Sequence, residues 1–93
     1  MFLGAYDFDG DPGDLLPAYE RLAAAIPGDA SELHVCIVRD EGLTVYDTCP
    51  TRDVFVAFSS SAGFLGAVRS AGLPEPTVRP LGDVTNVRGS LLR

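Results

Sequence analysis

Between residues 32 and 48 the chain reads ELHVCIVRDEGLTVYDT, two alternating runs around a polar turn. A period of two marks strands. Arg39-Asp40-Glu41-Gly42-Leu43 suits a type I turn closed by a glycine in the left-handed region, a three-residue hairpin loop. That loop places Arg39 opposite Leu43, Cys36 opposite Tyr46 and Leu33 opposite Cys49. One face of the hairpin then carries Leu33, Val35, Ile37, Leu43 and Val45. The other, half-polar face carries His34, Cys36, Val38, Thr44, Tyr46 and Thr48. A one-residue slip would exchange the two faces, so the assignment depends on the turn.

The pattern predicts four further elements. Residues 2 to 8, FLGAYDF, read as a strand, and DGDPGD follows as a turn. A first helix is expected from an Asp14 N-cap, with Pro17 in its first turn. Leu15, Tyr19, Leu22 and Ile26 form its apolar stripe, and Pro27-Gly28-Asp29 ends it. After the hairpin, Pro50 stops the strand and Thr51 caps a second helix, whose apolar side is Phe55, Phe58, Ala62, Leu65 and Val68. SSSAG at 59 to 63 is poor helix material and predicts a kink or break. Gly72-Leu73-Pro74 is a helix stop. A last strand falls within 77 to 88, where Pro80 requires an edge or a bulge.

The order strand, helix, strand, strand, helix, strand makes a single α+β domain over residues 1–93. Right-handed crossovers turn it into the ferredoxin-like βαββαβ plan, a four-stranded antiparallel sheet with both helices on one face. The half-polar face of the hairpin is left without cover from its own chain.

Composition narrows the partners. Hydrophobic residues make up 46% of the chain and charged residues 22%, a rich apolar supply for a chain of 93 residues, which can bury only about 60–65% of its unfolded surface. The net charge of −6 and seven scattered arginines argue against nucleic acid and anionic membranes. No stretch approaches the ~20 apolar residues of a membrane span. The N-terminal stretch has no positive region and soon turns acidic, so a secretory leader is not expected. Two cysteines on opposite faces predict no mutual disulfide, and a reducing cytoplasm is the expected setting. The alternating Asp7, Asp9 and Asp11 suggest calcium. An EF-hand loop starting there would need glycine and glutamate where Pro12 and Ala18 stand, so no metal is expected. The serines lack the Gly-x-Ser-x-Gly elbow, and the glycines lack a phosphate-cradle lysine.

Several segments resemble the dimeric α/β-barrel proteins related to antibiotic-biosynthesis monooxygenases, most of all their actinobacterial members. The matching residues are Leu33-His34-Val35, Val45-Tyr46-Asp47, Thr51-Arg52-Asp53-Val54-Phe55 and Ala71-Gly72-Leu73-Pro74. Relatives often carry Trp where Cys49 stands. The resemblance implies a homodimer in which two sheets meet face to face across a two-fold axis. Each subunit would keep a pocket between its sheet and helices or the partner's loops. The haem-degrading branch is not implied, because its axial histidine lies on the second helix and residues 51 to 72 hold none.

Two functions are expected on this basis. One is binding of a small apolar or aromatic metabolite, with Tyr6, Cys36, Val38, Thr44 and Thr48 as ligand contacts. The other is a cofactor-independent monooxygenase or isomerase, with His34 or Tyr46 handling a proton. Each residue also has a plainer reading. His34, the single histidine, can simply hydrogen-bond a neighbour at a strand start. Tyr46 suits an interface tyrosine, Cys36 an inert buried thiol, and the threonines ordinary strand positions.

Overall fold

The computed structural model describes residues 1–28 and 30–92, so Asp29 of the expected helix stop lies outside the described residues. It has the elements β1 (Phe2–Asp9), α1 (Pro12–Ala25), β2 (His34–Arg39), β3 (Gly42–Cys49), α2 (Arg52–Ser59), α3 (Ala62–Ala71) and β4 (Thr77–Asp83), then a 3-10 turn at Ser90–Leu92. The strands form one antiparallel sheet in the order β2-β3-β1-β4. This α+β arrangement of four strands and three helices is compatible with the ferredoxin-like plan.

Local chemistry explains where the elements start and stop. α1 begins earlier than the pattern suggested. Asp11, not Asp14, is its N-cap, accepting from the Gly13 N–H at 2.8 Å, and Pro12 takes the first helical position. Pro17 consequently sits inside the helix, where it withholds one backbone donor. Thr51 caps α2 by accepting from the Val54 N–H. The serine-rich stretch does break the second helix. Ser61 opens α3 by accepting from the Phe64 N–H, and the two helices meet at 53°. Gly72, in the left-handed region at φ 92°, ends α3. Pro80 lies on the edge strand β4, whose pairing with β1 shifts register beside it, so both expected irregularities occur together. No single helix among the described residues is long and apolar enough to cross a membrane.

The hairpin departs from expectation in one respect with wide consequences. Asp40 and Glu41 alone form the turn, and Arg39 pairs with Gly42, Cys36 with Val45 and Val35 with Tyr46. Gly42 is not in the left-handed region. It is glycine for want of space, since a Cβ there would run into the Phe8 carbonyl and the Arg39 guanidinium. The shorter loop slips β2 by one residue against β3. His34, Cys36 and Val38 therefore share a face with Leu43, Val45 and Asp47, whereas Val35 and Ile37 share the other with Thr44, Tyr46 and Thr48. The grouping of His34 and Cys36 with Tyr46 is thus overturned. So is the placement of Cys36 and Cys49 on opposite faces: both point to the helix side, some four residues apart along the hairpin, as free thiols.

The helices cover the face carrying Phe2, Tyr6, Phe8, Leu43 and Val45, packing Leu15, Ala18, Leu22, Phe55, Phe64 and Val68 against it. Gly4 leaves the notch in β1 that Phe55 fills, because a Cβ at Gly4 would fall within the Phe55 ring. The open face carries a polar chain that touches all four strands. Arg39 Nε donates to Thr44 Oγ1 (2.9 Å), Thr44 donates to Asp7 Oδ1 (2.7 Å), and Arg79 grips Asp7 through Nε and Nη2 (2.6 and 3.1 Å). The Arg79 guanidinium holds the Asp7 carboxyl below the usual carboxylate range. Val35 and Ile37, each 40% exposed, flank this chain.

Candidate ligand pocket

A cavity of about 550 Å³ lies between the sheet and the helices. Its walls come from β1 (Tyr6, Phe8), the second half of α1 and its C-cap (Tyr19, Leu22, Ile26), β3 (Val45, Asp47, Cys49), α2 (Val54, Phe58) and α3 (Phe64). The break between α2 and α3 shapes one wall, because it turns Phe64 towards Phe58 with ring centroids 4.9 Å apart. Phe64 in turn contacts Tyr6 at 5.1 Å, and Tyr6 contacts Phe55 at 5.5 Å. The tilted rings form a continuous aromatic seam from the core to the cavity, each such pair contributing about 1 kcal/mol beyond simple burial. This volume falls within the range of ordinary small-molecule sites, ~300–1,000 Å³.

The polar groups gather at one end. Asp47 Oδ1 accepts from Ser31 Oγ at 2.6 Å and meets His34 Nδ1 at 3.1 Å. His34 Nε2 meets the Tyr19 hydroxyl at 2.5 Å, and the two rings stack 5.9 Å apart. The carboxylate thus fixes the ring so that Nδ1 donates to Asp47 and neutral Nε2 accepts from Tyr19. The hydrogen bond to Asp47 raises the His34 pKa, against the opposing effect of burial. Burial also raises the pKa of Tyr19, Tyr6 and both thiols, so these four groups are held neutral. The Tyr6 side chain is buried and lines the cavity, and its hydroxyl has no partner among the described residues. An unpartnered phenol can donate to a ligand or accept from it.

The structure separates the residues singled out from the sequence. His34 and Tyr6 come together in the cavity, and Thr48 reaches its edge while its hydroxyl is bound to the Leu33 backbone. Cys36 lies beside Tyr19 on the same sheet face, and Val38 lies at the exposed end of β2, outside the cavity lining. Tyr46 and Thr44 are on the opposite face. Thr44 belongs to the polar chain, and Tyr46 stands beside Arg79, so neither meets His34 within one chain. The slip of β2 is the physical reason. In the sequence Tyr19, a partner of His34, belongs to an apolar stripe and Asp47, the other, to a strand-end motif. Their signal lay in tertiary pairing: Asp47 is the direct cross-strand partner of His34 only in the two-residue hairpin.

Among the described residues no three histidine, cysteine or acidic side chains gather to hold a metal ion. No protein-family model matches the chain, and neither a curated protein nor a solved structure does.

Proposed function

We propose that the chain is a small-molecule binding protein whose cavity takes a planar, apolar or aromatic metabolite carrying one or two oxygens. The observation that carries this reading is the division of the 550 Å³ cavity into an aromatic body and a polar end. The rings of Tyr6, Phe58 and Phe64 offer stacking, and the His34–Tyr19 pair with the Tyr6 hydroxyl fixes orientation. Calorimetry with neutral one- to three-ring aromatics tests it. Saturable one-to-one binding is expected, and Cys49→Phe, which fills the space from β3, should abolish it. Absence of saturable binding across the panel would remove the reading.

The second part of the proposal is a homodimer formed through the open sheet face. Val35 and Ile37 are too exposed there for a lone copy to hide, and a closed two-fold pair is the commonest solution. A sedimentation mass near 9.8 kDa at micromolar concentration would reject it.

The Asp47–His34–Tyr19 chain favours one further reading, a cofactor-independent monooxygenase or isomerase. Tyr19 would pass its hydrogen to Nε2, backed by Asp47, while its oxygen takes a proton from an acidic C–H or O–H of the substrate. In the oxygenase case the resulting anion reduces dioxygen itself, with one oxygen atom retained and the other released as water. Oxygen uptake with an anthrone substrate, equal in wild type and His34→Ala, would eliminate it.

A further inference from the structure

Tyr19 lines the cavity, and its hydroxyl is bound to His34 Nε2, which lines it too. A phenol has one hydrogen to give and lone pairs to offer. Which of them faces the cavity therefore depends on what Nε2 does. When His34 is neutral, Nδ1 donates to Asp47 and Nε2 takes the Tyr19 hydrogen, leaving only a lone pair for a ligand. When His34 is protonated, both ring nitrogens donate, Nε2–H bonds to the phenol oxygen, and the Tyr19 hydrogen is released towards the cavity.

We infer that Tyr19 is the specificity-determining residue of this pocket, selecting ligands with a hydroxyl or amine hydrogen while His34 is neutral and admitting pure acceptors once His34 is protonated. The inference rests on the binding function proposed above and adds the chemistry of the ligand's polar end. The groups facing His34 are Asp47 from β3, Tyr19 from α1 and the Ser31 hydroxyl from the connection before β2. The Cys36 thiol is a second hydrogen-bond neighbour of the Tyr19 hydroxyl, but sulfur is a weak acceptor and competes poorly with a ligand oxygen for the freed hydrogen; Tyr6 and Cys49 stand beside Asp47. Among the described residues no other charged group acts on the imidazole. The Tyr6 hydroxyl has no bond to His34 among the described residues, so its role does not change with the charge on His34 and the switch belongs to Tyr19.

Two probes of similar ring size separate the states: 2-naphthol, which donates and accepts, and 2-methoxynaphthalene, which only accepts. Their affinities are measured at about pH 5 and about pH 8.5, on either side of the ordinary histidine range. At the higher pH naphthol should be preferred roughly fivefold, the value of one hydrogen bond left unmade by the ether. At the lower pH that preference should shrink towards parity. Tyr19→Phe should remove the pH dependence of the ratio while both probes still bind. Asp47→Asn should shift the midpoint of the change to lower pH, a result that stands even if Tyr19→Phe does not fold. A ratio unchanged with pH in the wild type, or a switch retained in Tyr19→Phe, overturns the inference and leaves the cavity reading intact. Failure of both probes to bind overturns both.

Discussion

His34 Nδ1 lies 3.1 Å from Asp47 Oδ1, and the two residues are direct partners across the β2–β3 hairpin. The pairing ties a local backbone choice, the length of a turn, to the protonation chemistry of the cavity. Because the folded state raises the His34 pKa, the pair adds stability in full below about pH 6.5, and this is lost as pH rises through the higher folded value. Its side chain is 41% exposed, so solvent screening keeps the contribution small. The chain has one histidine, so a single proton resonance reports its titration. Asp47→Asn should move that midpoint down towards the ordinary value, and an unchanged midpoint would contradict the pairing.

The open-face chain predicts the opposite pH behaviour. Asp7 is held below its ordinary range by Arg79, so its contribution is present above about pH 3.9 and is lost as pH falls through the lower folded value. Asp7→Asn should lower the melting temperature at neutral pH and flatten the acid side of the stability curve. The bridging hydroxyl is buried: Thr44→Val should cost about 1 kcal/mol in chemical denaturation, the value of the hydrogen bonds it relays.

Phe55 and Gly4 form a matched pair. Gly4→Ala should destabilise by about 3 kcal/mol, the upper range for forcing extra volume into a packed core. In the background of Phe55→Leu the same change should cost less than half as much. Additive losses in the double-mutant cycle would show that the notch does not matter.

The break between α2 and α3 depends on one serine more than its neighbours. Ser61→Ala should cost about 1 kcal/mol, because it removes the cap of α3. Ser60→Ala should cost little, since its exposed hydroxyl only returns to the Val56 and Ala57 carbonyls of the helix it follows. Equal losses from the two would refute the capping role.

These residues also show how far the sequence could be read. The caps at Thr51 and Gly72, the serine break and the irregular Pro80 strand are local, and each was legible from residue chemistry. The phase of β2 was not. Both of its faces are apolar, with Val35 and Ile37 on one side and Cys36 and Val38 on the other, so alternation could not choose between them. The decision fell to Gly42, whose glycine suggested a left-handed conformation. Its actual reason, crowding by Phe8 and Arg39, is a long-range contact invisible in the chain order. The polar end of the cavity depends on the same register. His34 and Tyr6 stand out in the sequence, whereas Asp47 becomes the partner of His34 through the hairpin register and Tyr19 through the packing of α1 on that face.

The irregular pairing at Pro80 closes one side of the sheet to lateral growth. A strand arriving beside β4 would meet a proline without a donor and a ladder already out of step. The other margin, β2, pairs with β3 in unbroken register and presents a regular row of backbone groups. An incoming strand would therefore add to the sheet beside β2 more readily than beside β4.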